Sequence, residues 1–208
     1  DHDTGLNTGG MGTIAPNPCY TPEMARLCMD TIFLPTLAAM RAEGCPFKGC
    51  LYFGLMLTAK GPKVIEYNCR FGDPETQVVL PLLKTDLLTV MQAVENETLG
   101  DLTVEWRNGA AACVILASGG YPGHYEKGKV ITLPTSLPEN VTVYHAGDTL
   151  TAEGHLITSG GRVLGVTAVA DTLVEALQDA YTTADAIDFE GKYLRRDIGR
   201  RALAAARN

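Results

Sequence analysis

The stretch Val64-Ile65-Glu66-Tyr67-Asn68-Cys69-Arg70-Phe71-Gly72-Asp73-Pro74-Glu75 constrains the chain more than any other. Val64, Ile65 and Tyr67 favour extended backbone, so its first half reads as a strand. Side chains alternate along a strand, which places Glu66, Asn68 and Arg70 on one face with neighbours about 7 Å apart. A carboxylate and an amide oxygen at that spacing can converge on one hard cation, and Mg²⁺ takes such ligands together with water and substrate phosphates. Arg70 offers a planar fork for phosphate or carboxylate. A metal pair beside an anion clamp points to phosphoryl chemistry. The second half turns. Gly72 permits a bend, Asp73 is an expected helix N-cap, and Pro74 suits the first helical position. Glu75 then falls in the first turn, where the helix dipole favours negative charge. A strand-turn-helix corner whose polar residues face water is the alternative. It accounts for Asp73 and Pro74 without a ligand, but poorly for Glu66 and Asn68.

A chain of 208 residues can form one large domain or two small ones, each with its own core. No apolar run is long enough for a membrane-spanning helix. A net charge of −7 argues against a general nucleic-acid binder, which needs a basic surface. The six cysteines form no C-x-x-C pair, so they read as reduced thiols of a cytoplasmic protein. His2, His124, His145 and His155 lack metal-ligand spacing.

Around the central stretch, Asp3 to Gly12 carries four glycines whose amides could form an anion-binding nest; a flexible connector is the alternative. Thr21 and Pro22 start a helix with Ala25, Cys28, Met29, Ile32, Phe33, Leu37 and Met40 on its core side. Pro35 is expected to kink it and Gly44 to end it. Cys50–Leu57 and Pro62–Cys69 form an expected hairpin about Ala59-Lys60-Gly61. Pro74–Leu80 reads as a helix interrupted by Pro81; Thr85 or Asp86 caps the next, with Leu87, Leu88, Met91 and Val94 inward. Past a boundary near Gly100, strands are expected at Ala110–Ala117, Val130–Leu133, Val141–Tyr144 and Arg162–Val169. Asp171 is the expected cap of a helix facing inward through Leu173, Leu177, Ala180, Ala184 and Ile187. Lys192, Arg195, Arg196, Arg200, Arg201 and Arg207 form a basic tail, read first as a solvated face and second as a contact from Arg195 or Arg196 to a substrate phosphate.

The run Glu66 to Gln77 resembles the metal-binding strand of the phosphoribosylamine–glycine ligase family of the ATP-grasp superfamily. Asp3-Thr4-Gly5 through Asn7-Thr8-Gly9-Gly10-Met11-Gly12, Gly44-Cys45-Pro46-Phe47-Lys48-Gly49 and Tyr193-Leu194-Arg195-Arg196-Asp197-Ile198-Gly199 are similar to the same family, so the likeness spans essentially the whole chain. It implies an α+β fold: the second lobe of an ATP-grasp fold over residues 1–102, then a small β-rich domain over 103–208.

The implied reaction joins glycine to phosphoribosylamine through a glycyl phosphate made at the expense of ATP. The resemblance gives Glu66 and Asn68 as ligands of Mg²⁺ or Mn²⁺, Arg70 and Asp73 as catalytic, and Asp3, Thr8, Gly9, Gly10, Met11, Gly12 and Glu75 as substrate-binding. Membrane and nucleic acid have no place in it.

Several features depart from the family. Leu6 stands where proline is common, Leu51-Tyr52-Phe53-Gly54-Leu55 brings no further acidic ligand, and a short basic segment is missing between His2 and Asp3. The chain begins inside a family motif, so it is expected to be a C-terminal portion whose partner is the N-terminal half of the same enzyme. The rivals are another ATP-grasp carboxylate–amine ligase of purine synthesis, and a non-catalytic fragment that only binds substrate.

Overall fold

The computed structural model describes residues 1–205, so Arg207 of the basic tail lies outside the described residues. In chain order the elements are β1 (Gly12–Ala15), α1 (Pro22–Cys28), α2 (Leu34–Ala42), β2 (Tyr52–Thr58), β3 (Gly61–Asn68), α3 (Thr76–Leu82), α4 (Leu87–Glu95), β4 (Ala110–Ser118), β5 (Val141–His145), β6 (Asp148–Leu150), β7 (Leu156–Thr158), β8 (Arg162–Ala170), α5 (Leu173–Ala186), β9 (Lys192–Tyr193) and α6 (Arg200–Ala205). The fold is α+β. Contacts divide it into two compact units, one of Asp1–Asn17, Asp73–Leu82 and Arg107–Asn208, the other of Pro18–Gly72 and Leu83–Trp106. This grouping differs from a cut of the sequence near residue 102, because β1 and α3 join the later strands.

The first unit is built on an antiparallel sheet ordered β1-β4-β8-β5, with β9 also pairing β4. Every residue of β4 is buried. Its side chains alternate between two apolar clusters: Val114 and Leu116 join Leu164, Val166, Ala180 and Ile187, whereas Ala111, Cys113, Ile115 and Ala117 join Met11, Val78 and Leu82. A strand covered on both faces needs a continuous apolar run, and Ala110–Ala117 is one. The helix after β8 is capped by Thr172, not Asp171. Thr172 Oγ1 accepts the Glu175 N–H and the Glu175 side chain returns to the Thr172 N–H. The T-x-x-E capping box outcompetes the aspartate one residue earlier. The expected strand Val130–Leu133 makes only isolated bridges, Val130 to Ile157 and Thr132 to Asp188.

In the second unit, Thr21 caps α1 by accepting the Met24 N–H, and Gly44, at φ +77°, follows the end of α2. The Cys45 N–H reaches the Met40 carbonyl and the Gly44 N–H that of Arg41, the double closure of a Schellman motif. Pro35 does not produce a simple kink. Met29–Phe33 forms a π-helical turn between α1 and α2, and the Leu34 N–H bonds back to the Met29 carbonyl. The turn sits where the missing Pro35 donor would interrupt regular α bonding.

The expected core side of these helices is only partly covered. Cys28 is buried, but Met29 and Leu37 are exposed. On α4, capped by Asp86, Ala93 is buried while Leu88 and Met91 face outward. The hairpin β2–β3 turns at Ala59-Lys60, and a bulge at Gly54/Leu55 shifts its register.

Candidate functional site

The hairpin of the second unit carries the expected metal pair. Glu66 lies opposite Gly54 and Asn68 opposite Tyr52 on antiparallel strands. A Cβ at Gly54 would lie 2.9 Å from the Glu66 side chain, so glycine leaves that carboxylate its room. The Asn68 amide nitrogen donates to Glu66 Oε1 at 3.1 Å, so the two side chains meet on one strand face. Arg70 does not extend this row. β3 ends at Asn68, Arg70 lies in the bend beyond, and its guanidinium donates to the Phe71 carbonyl at 2.9 Å. Alternation holds only while the backbone stays extended. Among the described residues no group of three or more His, Cys, Asp or Glu could hold a metal ion. The site is therefore a carboxylate–amide pair.

The first unit holds Asp73, Glu75 and the glycine loop. Asp73 and Glu75 lie in a turn ahead of α3, which begins at Thr76, so Asp73 is not its N-cap and Pro74 not its first residue. The Asp73 carboxylate instead takes Gln77 Nε2 on Oδ1 at 3.0 Å and Arg162 on Oδ2 at 3.1 Å. Glu75 is half-buried, and its carbonyl accepts the Val78 and Val79 N–H groups that open the helix.

Among the loop residues, the Gly9 N–H donates to the Tyr121 hydroxyl at 3.0 Å and the Gly10 N–H leans toward Thr8 Oγ1 at 3.4 Å. These two amides face protein oxygens rather than an open nest. Gly10 has φ +99°, and a Cβ there would lie 2.7 Å from the Pro74 ring. Met11 is buried in the core, and Gly12 is the first residue of β1, with Ile198 at 2.7 Å from where its Cβ would be. The reading of the sequence missed Arg162 and Tyr121. Neither lies in a motif, and both reach the loop from more than a hundred residues away.

The basic tail is neutralised by acids. Arg195 pairs with Asp197 at 2.8 Å and Asp3 at 3.3 Å, Arg196 with Asp185 at 2.7 Å, and Arg201 with Asp3. Hydrogen bonding from Arg195, with Arg201 adding, holds the Asp3 carboxyl below its usual range. Lys192 Nζ donates to the Ala184 carbonyl at 3.1 Å and to that of Ile187, closing the end of α5. Arg195, Arg196 and Arg201 thus bind the protein's own carboxylates. Burial pushes the Cys113 thiol up to about 11, which leaves it inert as a nucleophile. None of the six cysteines forms a disulfide.

Comparison with known proteins gives this arrangement a context. Residues 1–76 match the phosphoribosylglycinamide synthetase ATP-grasp (A) domain, and residues 111–201 the phosphoribosylglycinamide synthetase C domain. The chain is 53% identical over 203 residues to a phosphoribosylamine–glycine ligase of Chlorobaculum tepidum, covering 97% of this chain and 48% of that protein. It is 50% identical over 202 residues to one from Nostoc sp., covering 96% and 48%. Its structure resembles that of the Thermotoga maritima phosphoribosylamine–glycine ligase with a TM-score of 0.81 and 40% identity, over 95% of this chain and 48% of that one. The chain spans about half the length of the relatives it matches.

Proposed function

We infer the function from one premise: the chain belongs to the phosphoribosylglycinamide synthetase family. As part of the full enzyme it serves the ATP-dependent ligation of glycine to phosphoribosylamine, giving glycinamide ribonucleotide for purine synthesis. The convergence of Glu66 and Asn68 at 3.1 Å carries this reading. A carboxylate with an amide oxygen, and no sulfur or imidazole, suits a hard cation such as Mg²⁺ or Mn²⁺. When bound, that cation would neutralise the phosphates of ATP.

The glycine carboxylate attacks the γ-phosphorus and ADP leaves. The amine of phosphoribosylamine then attacks the acyl carbon, phosphate departs, and the amine gives up a proton. No protein nucleophile is needed, so the chain contributes by positioning. Asp73, half-exposed while held on both oxygens, can accept a hydrogen bond from the substrate amine. Gly9 and Gly10 let backbone approach the substrate closely. Arg70, exposed beside the metal pair, can turn its fork from the Phe71 carbonyl to the transferred phosphoryl group.

The second unit leaves a groove of about 700 Å³ lined by Ile32, Pro35, Met40, Leu51, Val64 and Tyr67. Apolar surface of this kind, in a chain half the length of its relatives, fits a face that packs against the rest of the enzyme. Cysteines outside any disulfide fit a reducing cytoplasm.

Replacing Glu66 with Gln in the full-length enzyme tests the reading. The charge is lost and the shape kept, so glycine-dependent ADP release should fall by about 10²-fold or more with circular dichroism unchanged. Undiminished turnover at saturating Mg²⁺ would overturn it.

A further inference from the structure

Arg162 opens β8 with its side chain largely enclosed, 22% exposed. Nη1 donates to the carbonyls of Gly9 at 2.8 Å, Asp73 at 3.0 Å and Gly10 at 3.4 Å, while Nη2 reaches Asp73 Oδ2 at 3.1 Å. One guanidinium thus gathers two segments, more than sixty residues apart, onto a third. Tyr121 adds an independent hold through the Gly9 N–H. Pro74 blocks any side chain at Gly10. Gln77 takes the remaining Asp73 oxygen, and its own Oε1 is buried without a hydrogen-bond partner. Only an arginine supplies several donors from one rigid plane; a lysine ammonium cannot span three carbonyls and a carboxylate in this geometry.

We propose that Arg162 is a positioning residue for substrate: it fixes the Gly9–Gly10 backbone and the Asp73 carboxylate in one arrangement, and so sets the affinity for the phosphorylated amine. The proposal deepens the functional reading above and rests on its premise that the glycine loop and Asp73 meet that substrate. Arg162 itself touches only protein.

The test compares Arg162→Gln, Arg162→Lys, Tyr121→Phe and Asp73→Asn in the full-length enzyme. Arg162→Gln should raise the KM for phosphoribosylamine by about tenfold or more, the scale of one charged hydrogen bond, and leave the KM for ATP within about twofold. Arg162→Lys should rescue only part of this loss. Hydrogen exchange at Gly9 and Gly10 should speed up by about tenfold on the same scale. A merely structural arginine would lower the melting temperature and leave every KM alone, which overturns the proposal. If Arg162→Gln does not fold, Tyr121→Phe decides: it must raise the same KM and the same exchange rates by a smaller factor, and an unchanged KM overturns the proposal. Asp73→Asn separates the two levels. If it raises the phosphoribosylamine KM and Arg162→Gln does not, the positioning role fails while the substrate reading stands. If Asp73→Asn leaves that KM unchanged, the substrate reading fails, and the exchange rates still decide whether Arg162 holds the loop.

Discussion

Arginine and carboxylate meet repeatedly in the first unit, and each meeting depends on the acid keeping its charge. Asp197 is the clearest case. Its side chain is only 8% exposed and receives two hydrogen bonds from Arg195 at 2.8 Å, with the His2 N–H adding a third. Arg195 above all holds the Asp197 carboxyl well below its ordinary value of 3.8. The folded state therefore binds that proton less readily than the unfolded chain. The stabilisation is fully present above about pH 4, the unfolded value, and is lost as pH falls below it. Urea unfolding of the chain at pH 7 and pH 3 should show a loss of stability on acidification. Asp197→Asn should shrink that loss while lowering stability at pH 7; equal acid sensitivity in both forms would remove Asp197 from the explanation. Asp73 is held differently, half-exposed and between Gln77 and Arg162.

At the scale of elements, local chemistry decides more than charge. The α5 cap is worth about 0.5–2 kcal/mol, so Thr172→Ala should lower unfolding stability by that amount in chemical denaturation. Asp171→Ala should stay within about 0.5 kcal/mol, as a surface change away from a cap does. A larger effect at Asp171 than at Thr172 would reverse the assignment. The T-x-x-E signature was there to be read, and the aspartate beside it drew attention away. Other elements were legible for the same local reason. Thr21 before Pro22, Gly44 after α2, the turn at Ala59-Lys60 and the apolar run of β4 each carry their signal within a few residues. Glu66 and Asn68 were legible because two residues along one strand share a face. Arg70 was not, because the strand stops two residues short of it. The clamp of Arg162 on Gly9 and Asp73 left no local trace, since only the completed sheet brings β8 to that loop. The outward turn of Leu88 and Met91 has a further cause: helical spacing says which residues share a stripe, not whether anything covers it.

At the scale of the molecule, stability is unevenly shared. The buried apolar side chains of the described residues lie almost wholly in the first unit, and the second contributes only Cys28 and Ala93. Local opening is cheap where few apolar contacts are broken. Native-state hydrogen exchange of the chain should therefore show β4 and β8 amides exchanging at least about 10²-fold more slowly than those of β2 and β3. Matched protection in the two sheets would contradict this division.

The pairing of β1 with β4 has a consequence in time as well as in space. Gly12 lies beside Val114, and the His2 N–H meets Asp197. A ribosome adding roughly 5–20 residues per second needs about 5–20 s to make the stretch that separates β1 from its partner strand. Throughout that interval Gly9, Gly10 and Met11 are already synthesised, with neither the sheet nor Arg162 to receive them. The glycine loop is thus synthesised well before the strands and the arginine that hold it in place.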